Sequence, residues 1–587
     1  MVCAFCCRVL LMAGVGSLVL CYAQSKPDVN SSAPLISYQR GVTAAQAGDL
    51  SGARKAFEEA VKANPENSQY QAALGGVLLQ QGDADGAIEH YRAANRLKPA
   101  TAQFHLSLGQ ALAAKGELDE AAAQLRDATK LAPQLPEAHR ELARVLSAQH
   151  KTDEAIAQMA EAIQLAPRRP ELRDDMGALY AQKEQLVEAT EQFRAALALD
   201  PRFAPAHFHL GVASLKAGDL DSAVHELTEA NQLNAKEPLG FYYLGDALER
   251  KGNSTAAAVA YQQAADLKPE MLPVQQRLGA LYSKAGDFEK AAVAYSKVVE
   301  LKPEDPEAHN DLGLALMQHG EADAAIKQFQ EALRLRPDDA EIRGNLAVTY
   351  LQKSDFDTAE QQLQAALKQA PGVASLHYDL ALTLKLKDNL QAAVTELQQA
   401  IRLDPQLVDA YYTLGVTLWQ QGNFPAAVDQ LQTAIKIKPD YVEAYSTLGS
   451  VLKQMNKLPE AVQVLREAIR LQPDFPGPHI TLAGVLRQMG DTAGAQAESR
   501  TGESLTKERL SLQGATFATN SGKRMLNAGD IDGAIAQFRS AVKLSPDYAP
   551  AHYQLGLALA RKGEKGEASK EFQKASELDA RLKPPAS

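Results

Sequence analysis

The chain has 587 residues, 45% of them hydrophobic and 23% charged, with a net charge of −11. That is the composition of a soluble folded protein, and the length exceeds one ordinary domain unless the chain is built of repeats. No basic run exceeds a pair, which excludes the positive face that nucleic acid requires, and the densest patch, Arg168, Arg169 and Arg173, reads as a solvated helix start.

The first element is an expected export signal. "MVCAFCCRVLLMAGVGSLVLCYAQS" carries one cation, Arg8, before an apolar run from Val9 to Leu20, and small residues, Cys21 and Ala23, flank Tyr22 as at a signal-peptidase site. The run is short of the roughly 20 residues of a membrane-spanning helix, so a cleaved signal over 1–23 is favoured over an N-terminal membrane anchor. Leu20 is too bulky for lipoprotein processing at Cys21. All four cysteines, Cys3, Cys6, Cys7 and Cys21, lie inside this segment. The mature chain is therefore expected to lack thiols, and with them disulfides, thiolate metal sites and cysteine catalysis.

After a short linker, 24–33, a 34-residue skeleton begins. The position held by Gly313 recurs from Gly41 to Ala483 at fourteen places spaced by 34, then at Gly522 and Gly556 after one interval of 39. It is Gly in twelve units and Ala in four. Twelve residues later every unit has Ala, as at Ala325, and seven beyond that fourteen of sixteen do, as at Ala332. Pro closes thirteen units, as at Pro337.

Each position has a mechanical reading. Leu312 and Leu316 share one face of a first helix, and Gly313 permits close approach to its partner. Gly320 supplies the left-handed residue that ends the helix. Ala325 and Ala332 keep the second helix thin, Phe329 fills the gap between them, and Pro337 stops it. Such a hairpin cannot bury its apolar face alone, so neighbours must stack.

The pattern resembles the tetratricopeptide repeat family over about residues 34–582, with His or Tyr mostly standing where the family has its first Trp. The resemblance implies an all-α, right-handed superhelical solenoid of about sixteen helix–turn–helix repeats. Repeats 1–14 run in unbroken register over 34–509, a five-residue insertion or break falls at 510–514, repeats 15 and 16 occupy 515–582, and a tail covers 583–587.

Little within these residues is left for chemistry. There is no Gly-rich phosphate loop, HExxH, GxSxG or CxxCH, so no catalytic residue, metal or cofactor is expected and the chain reads as non-enzymatic. Seven of the twelve histidines fall four residues before the Gly313 position. Equivalent positions lie a whole hairpin apart, too far to converge on a metal, so these rings are read as half-buried fillers. Paired acids such as Asp338 with Asp339, and Asp174 with Asp175, are read as caps at repeat junctions. Arg140 and Arg144 do not complete the carboxylate-gripping set of some family members, because Asp174 and Asp175 follow in the next repeat.

The surface left over is the stripe Glu307, Asn310, Leu314 and Met317, with Gln318 beside it. By resemblance it lines the concave side, where peptides or partner helices lie. The Asn310 position is aromatic in six units, and the Gln318 position is an amide in nine; amides pair with a backbone without selecting its sequence. Trp419, the only tryptophan, falls on this stripe. The predicted partner-binding groove comprises Tyr242, Tyr378, Tyr412, Val416, Trp419, Gln420, Gln454 and Gln488, with proteins or peptides as partners. The functional expectation is an exported interaction scaffold, periplasmic, outer-membrane-associated or secreted. The alternative is an accessory subunit of an envelope assembly (polysaccharide export, pilus or secretion machinery) docked on a membrane-associated complex, and a glycosyltransferase accessory is a weaker one.

The fourteenth unit departs from the pattern at three places: Ser499 for the aromatic or leucine knob, Gly502 for Ala, and Lys507 for Pro, just before the insertion. Its second helix is expected to fray or to run past its usual end, with weaker stacking there. Limited proteolysis is expected to cut first between Glu498 and Gly514; a first cut within 68–476 would overturn this.

Overall fold

The computed structural model describes residues 33–584. The expected signal, nearly all of the expected linker and the last three residues of the tail lie outside them. Among the described residues there are 31 helices and no strand. They belong to two compact units, one ending at Pro303 and one beginning at Glu304. In each unit the helices alternate as the first and second arms of consecutive hairpins.

The hairpin Pro306–His319 and Ala322–Leu335 shows why these residues fold this way. Pro306 occupies the first turn, where its missing N–H costs nothing, and Asp305 accepts from the Glu307 amide. Gly320 ends the helix at φ 91°. Five repeats hold a non-glycine in the same left-handed region at this position: His150, Glu184, Ser354, Asp388 and Asn456. Many second helices are then opened by an Asp or Asn whose carboxylate or amide accepts from a first-turn N–H, as Asp355 does from Thr358.

Within the hairpin, Ala325, Phe329 and Ala332 are fully buried. A Cβ built on Gly313 would stand 2.7 Å from the Phe329 ring, so the ring occupies space that only a glycine backbone leaves open. Between hairpins, Ile326 and Leu333 of one second helix share a cluster with Ile342 and Leu346 of the next first helix. These inter-hairpin faces make the array continuous within each unit.

The fourteenth and fifteenth units differ. Thr492–Asn527 is one helix of 36 residues, combining the second arm of one hairpin with the first arm of the next. The insertion at 510–514 lies within this helix, so of the two expectations for the fourteenth unit its second helix runs past its usual end. The stretch "SLTKERLSLQ" is rich in helix formers, and with Lys507 in place of Pro nothing stops the chain from going straight on.

Candidate functional site

The face made by successive first helices carries the predicted stripe, and its polar side chains obey a rule not read from the sequence. In five units the residue at the Asn310 position pairs with the residue 35 further on, in the next first helix. Asn345 donates to Asn310 at 3.1 Å, Arg140 Nε donates to Asp175 at 2.6 Å, and His209 Nδ1 meets Asp174 at 2.8 Å. Tyr378 and Tyr412 place their hydroxyls 3.4 and 3.5 Å from those of Thr413 and Thr447. A second row follows the same interval from the Met317 position. There Ser147 donates to Gln182 at 2.7 Å, and Trp419 Nε1 donates to Gln454 Oε1 at 2.7 Å.

The predicted residues can now be placed. Tyr378, Tyr412, Val416, Trp419, Gln420, Gln454 and Gln488 lie on four consecutive first helices of the second unit, whereas Tyr242 belongs to the first unit, edge-on to Tyr243 at 5.2 Å. Trp419 is half-buried. Its ring packs beside a core cluster that includes Leu414, Leu418, Leu448 and Leu452, and its N–H is already taken by Gln454. Tyr378, Tyr412 and Val416 are also half-buried, while Gln420, Gln454 and Gln488 are exposed. Met317, placed on the stripe from sequence, is buried.

Asp174 and Asp175 require a correction. They are not caps at a junction but lie in the second turn of Pro170–Gln182, each only 5% exposed. Asp339 does cap, accepting from Glu341 and Ile342. The two aspartates anchor a polar cluster joining three successive repeats. Burial pushes the Asp175 carboxyl up despite the Arg140 guanidinium beside it. Burial alone would lower the His209 ring, but the adjoining Asp174 carboxylate outweighs it and holds the ring above its ordinary value. Arg144, also buried, reaches Glu141 at 3.2 Å, yet its Nε and Nη2 meet no hydrogen-bond partner among the described residues, and neither does Gln110 Oε1 one repeat earlier.

The repeated histidines act as struts between elements. In six of them Nε2 lies 2.8–3.1 Å from the carbonyl of the closing Pro, six residues earlier, as in His139 with Pro133 and His552 with Pro546. Nδ1 meets a Gln or Glu of the following second helix, as in His105 with Gln124 and His207 with Glu226. With both nitrogens facing neighbouring groups of the chain, neither is directed at an open position where a metal could sit. Among the described residues no group of three or more His, Cys, Asp or Glu is placed to hold one.

Fold and face together define an α-helical repeat protein whose distinguishing surface is a ladder of first-helix side chains. The chain belongs to the tetratricopeptide repeat family. Tetratricopeptide repeat models match residues 38–102, 175–238 and 412–476, and others match 78–145, 522–563 and 549–581. A model described as the C-terminal domain of cilia and flagella-associated protein 70 matches 239–443. No curated protein matches significantly. Similar solved structures include the anaphase-promoting complex heterotetramer Cut9–Hcn1, 14% identical over 94% of this chain and 100% of that one, TM-score 0.34. MamA is 27% identical over 29% of this chain and 94% of its own, TM-score 0.27. A thermophilic tetratricopeptide protein of Thermus thermophilus is 25% identical over 31% of this chain and 100% of its own, TM-score 0.28.

One carboxyl on this face is half-buried without a charged neighbour. Asp379 stands 35 residues beyond Gly344, and burial pushes its carboxyl up to about 6. A folded-state value above the ordinary 3.8 means that the folded chain binds the proton more tightly, so this group's contribution to stability falls as pH rises from 3.8 through about 6. Asp379→Asn is expected to melt higher than the parent at pH 7, by on the order of 1 kcal/mol, with the two converging below about pH 4. Thermal melts across that range check this; no gain at pH 7 would count against it.

Proposed function

We propose that the chain is an exported, non-enzymatic scaffold that holds partner polypeptides along its first-helix face. The observation that carries this reading is Trp419. It is the only tryptophan, it stands half-buried on that face, and Tyr378, Tyr412 and the exposed amides of Gln420 and Gln488 lie on the same run of helices. An aromatic ring left partly in water loses hydration cost when a partner covers it, which is why Trp and Tyr dominate binding hot spots. The amides supply sequence-tolerant pairing to a backbone. In the first unit, the unpartnered nitrogens of Arg144 and the Gln110 carbonyl oxygen favour a polar chain or ordered water on the equivalent face.

A single tryptophan makes the test direct. Partners captured from envelope extracts are expected to blue-shift Trp419 emission on binding. Trp419→Ala should weaken that binding by about 2 kcal/mol or more, with a smaller loss in melting. Gln454→Ala, which frees the indole N–H while keeping the ring, should retain most of the affinity. Unchanged emission with bound partner would overturn this placement of the site.

Export is a separate part of the proposal. Intact-mass measurement of the exported protein is expected to give a chain starting at Gln24, without cysteine. A membrane-bound form retaining Cys3 or Cys21 would instead support an anchor.

A further inference from the structure

The long helix Thr492–Asn527 leaves two faces unpaired that are paired elsewhere along the chain. At an ordinary junction the second helix of one hairpin and the first helix of the next run antiparallel. Positions 326 and 333 of the former lie as far before the turn as positions 349 and 342 lie after it. Ile326, Ile342 and Thr349 are buried, and Leu333 is half-buried. The equivalents in the long helix are Gln496, Glu503, Phe517 and Arg524, and all four are exposed, Phe517 at 70%. Phe517 takes a position that is buried in the other first helices from Tyr70 to Ala551, often as Ala.

The reason is geometric. In one straight helix of 36 residues, about 54 Å long, the two halves cannot fold back on each other. A second copy can do what the turn does elsewhere. Two such helices, antiparallel about a two-fold axis at residue 510, place Glu503 across from Phe517 and Gln496 across from Arg524. These are the register partners of an ordinary junction. The exposed strip Arg500, Glu503, Lys507, Leu510, Gln513, Phe517 and Asn520 follows the 3–4 spacing of one helix face. The same axis sets Arg500 opposite Asn520 and Lys507 opposite Gln513, so no like charges face each other directly.

The middle of this strip is also hollow. Glu503, Lys507 and Leu510 line a groove of about 520 Å³ whose apolar sides include Ile480 and Leu544. Leu510 is 62% exposed and would meet its own copy at the axis.

We propose that the chain self-associates as a two-fold dimer through antiparallel pairing of the Thr492–Asn527 helices centred on Leu510. The interface is isologous: each half of the helix covers the opposite half of its partner, replacing the intramolecular packing that the straight helix forgoes. Partner binding on the first helices around Trp419 is a separate event on other residues.

The test uses the full chain with Ser at the four N-terminal cysteine positions. A cysteine on a two-fold axis meets itself, so Leu510→Cys is expected to form a disulfide dimer on mild oxidation. Phe517→Cys alone should do so poorly, and Glu503→Cys with Phe517→Cys should do so well. Val293→Cys, 64% exposed in the other unit, sets the background for random collision. Without oxidation, light scattering should show a monomer–dimer equilibrium that Phe517→Asp shifts to monomer, with helicity by circular dichroism confirming that the variant folds. Cleavage between Glu498 and Gly514 should slow as protein concentration rises. Crosslinking at residue 510 no faster than at 293, or a mass that stays monomeric at the highest soluble concentration, would overturn the proposal, including the case in which a different protein covers this helix.

Discussion

Each hairpin depends on one contact, a large side chain of the second helix resting against a first helix with little or nothing at that point. Phe329 on Gly313 is the pattern, repeated by Phe57 on Gly41, Phe193 on Gly177 and Tyr261 on Gly245, where an added Cβ would fall 2.4–2.7 Å from the ring. With leucine as the knob the closest approach is similar, as for Leu465 on Gly449 at 2.5 Å. The contact sets the distance between the arms, and that distance lets Ala325 and Ala332 sit fully buried beside it. Interiors pack at near-crystalline density, so a gap there loses its contacts outright.

The one unit without this contact shows what else hangs on it. Ser499 is too small to fill the gap, and Gly502 beside it instead admits Ile480 from the first helix, whose side chain would lie 2.7 Å from an added Cβ. With Lys507 where other units have Pro, the chain then continues as helix where its equivalents turn. A local packing change at one serine and one lysine thereby reaches the surface as an uncovered helix face at Leu510 and Phe517.

The hairpins and their knobs were legible because period, small residues and terminators recur at fixed spacing, and each has a single physical meaning. The side-chain ladder was not, because its interval is 35 rather than 34 and, apart from Asn310 with Asn345, it joins unlike residues: Arg140 to Asp175, Tyr412 to Thr447, Trp419 to Gln454. A search for repetition passes over such pairs, although the complementary charges of Asp174 and His209 were there to be seen. The same oversight misplaced Asp174 and Asp175 as caps. Two adjacent acids after a proline match a helix start by composition, yet the helix begins at Pro170, and their depth in it is a matter of register. The closing prolines had a second function that no pattern shows, since it is their carbonyl oxygens that the histidines meet.

The ladder changes how the first-helix face is to be understood as a binding surface. A polar side chain on a repeat array can brace its neighbour or await a partner, and those already paired within the chain have less to offer outside it. Arg140, Asp174, Asp175 and His209 are buried or nearly so and engaged with one another, which stiffens three repeats of the first unit. In the second unit the bracing runs through one amide pair, tyrosine and threonine hydroxyls and one indole N–H, uncharged bonds that leave Tyr378, Tyr412 and Trp419 only half-buried. Stiffness and availability are thus divided by residue type between the first-helix faces of the two units. Charge pairs consume the groups they join, whereas aromatic residues can spend their polar tip on the next repeat and still present a ring to a partner.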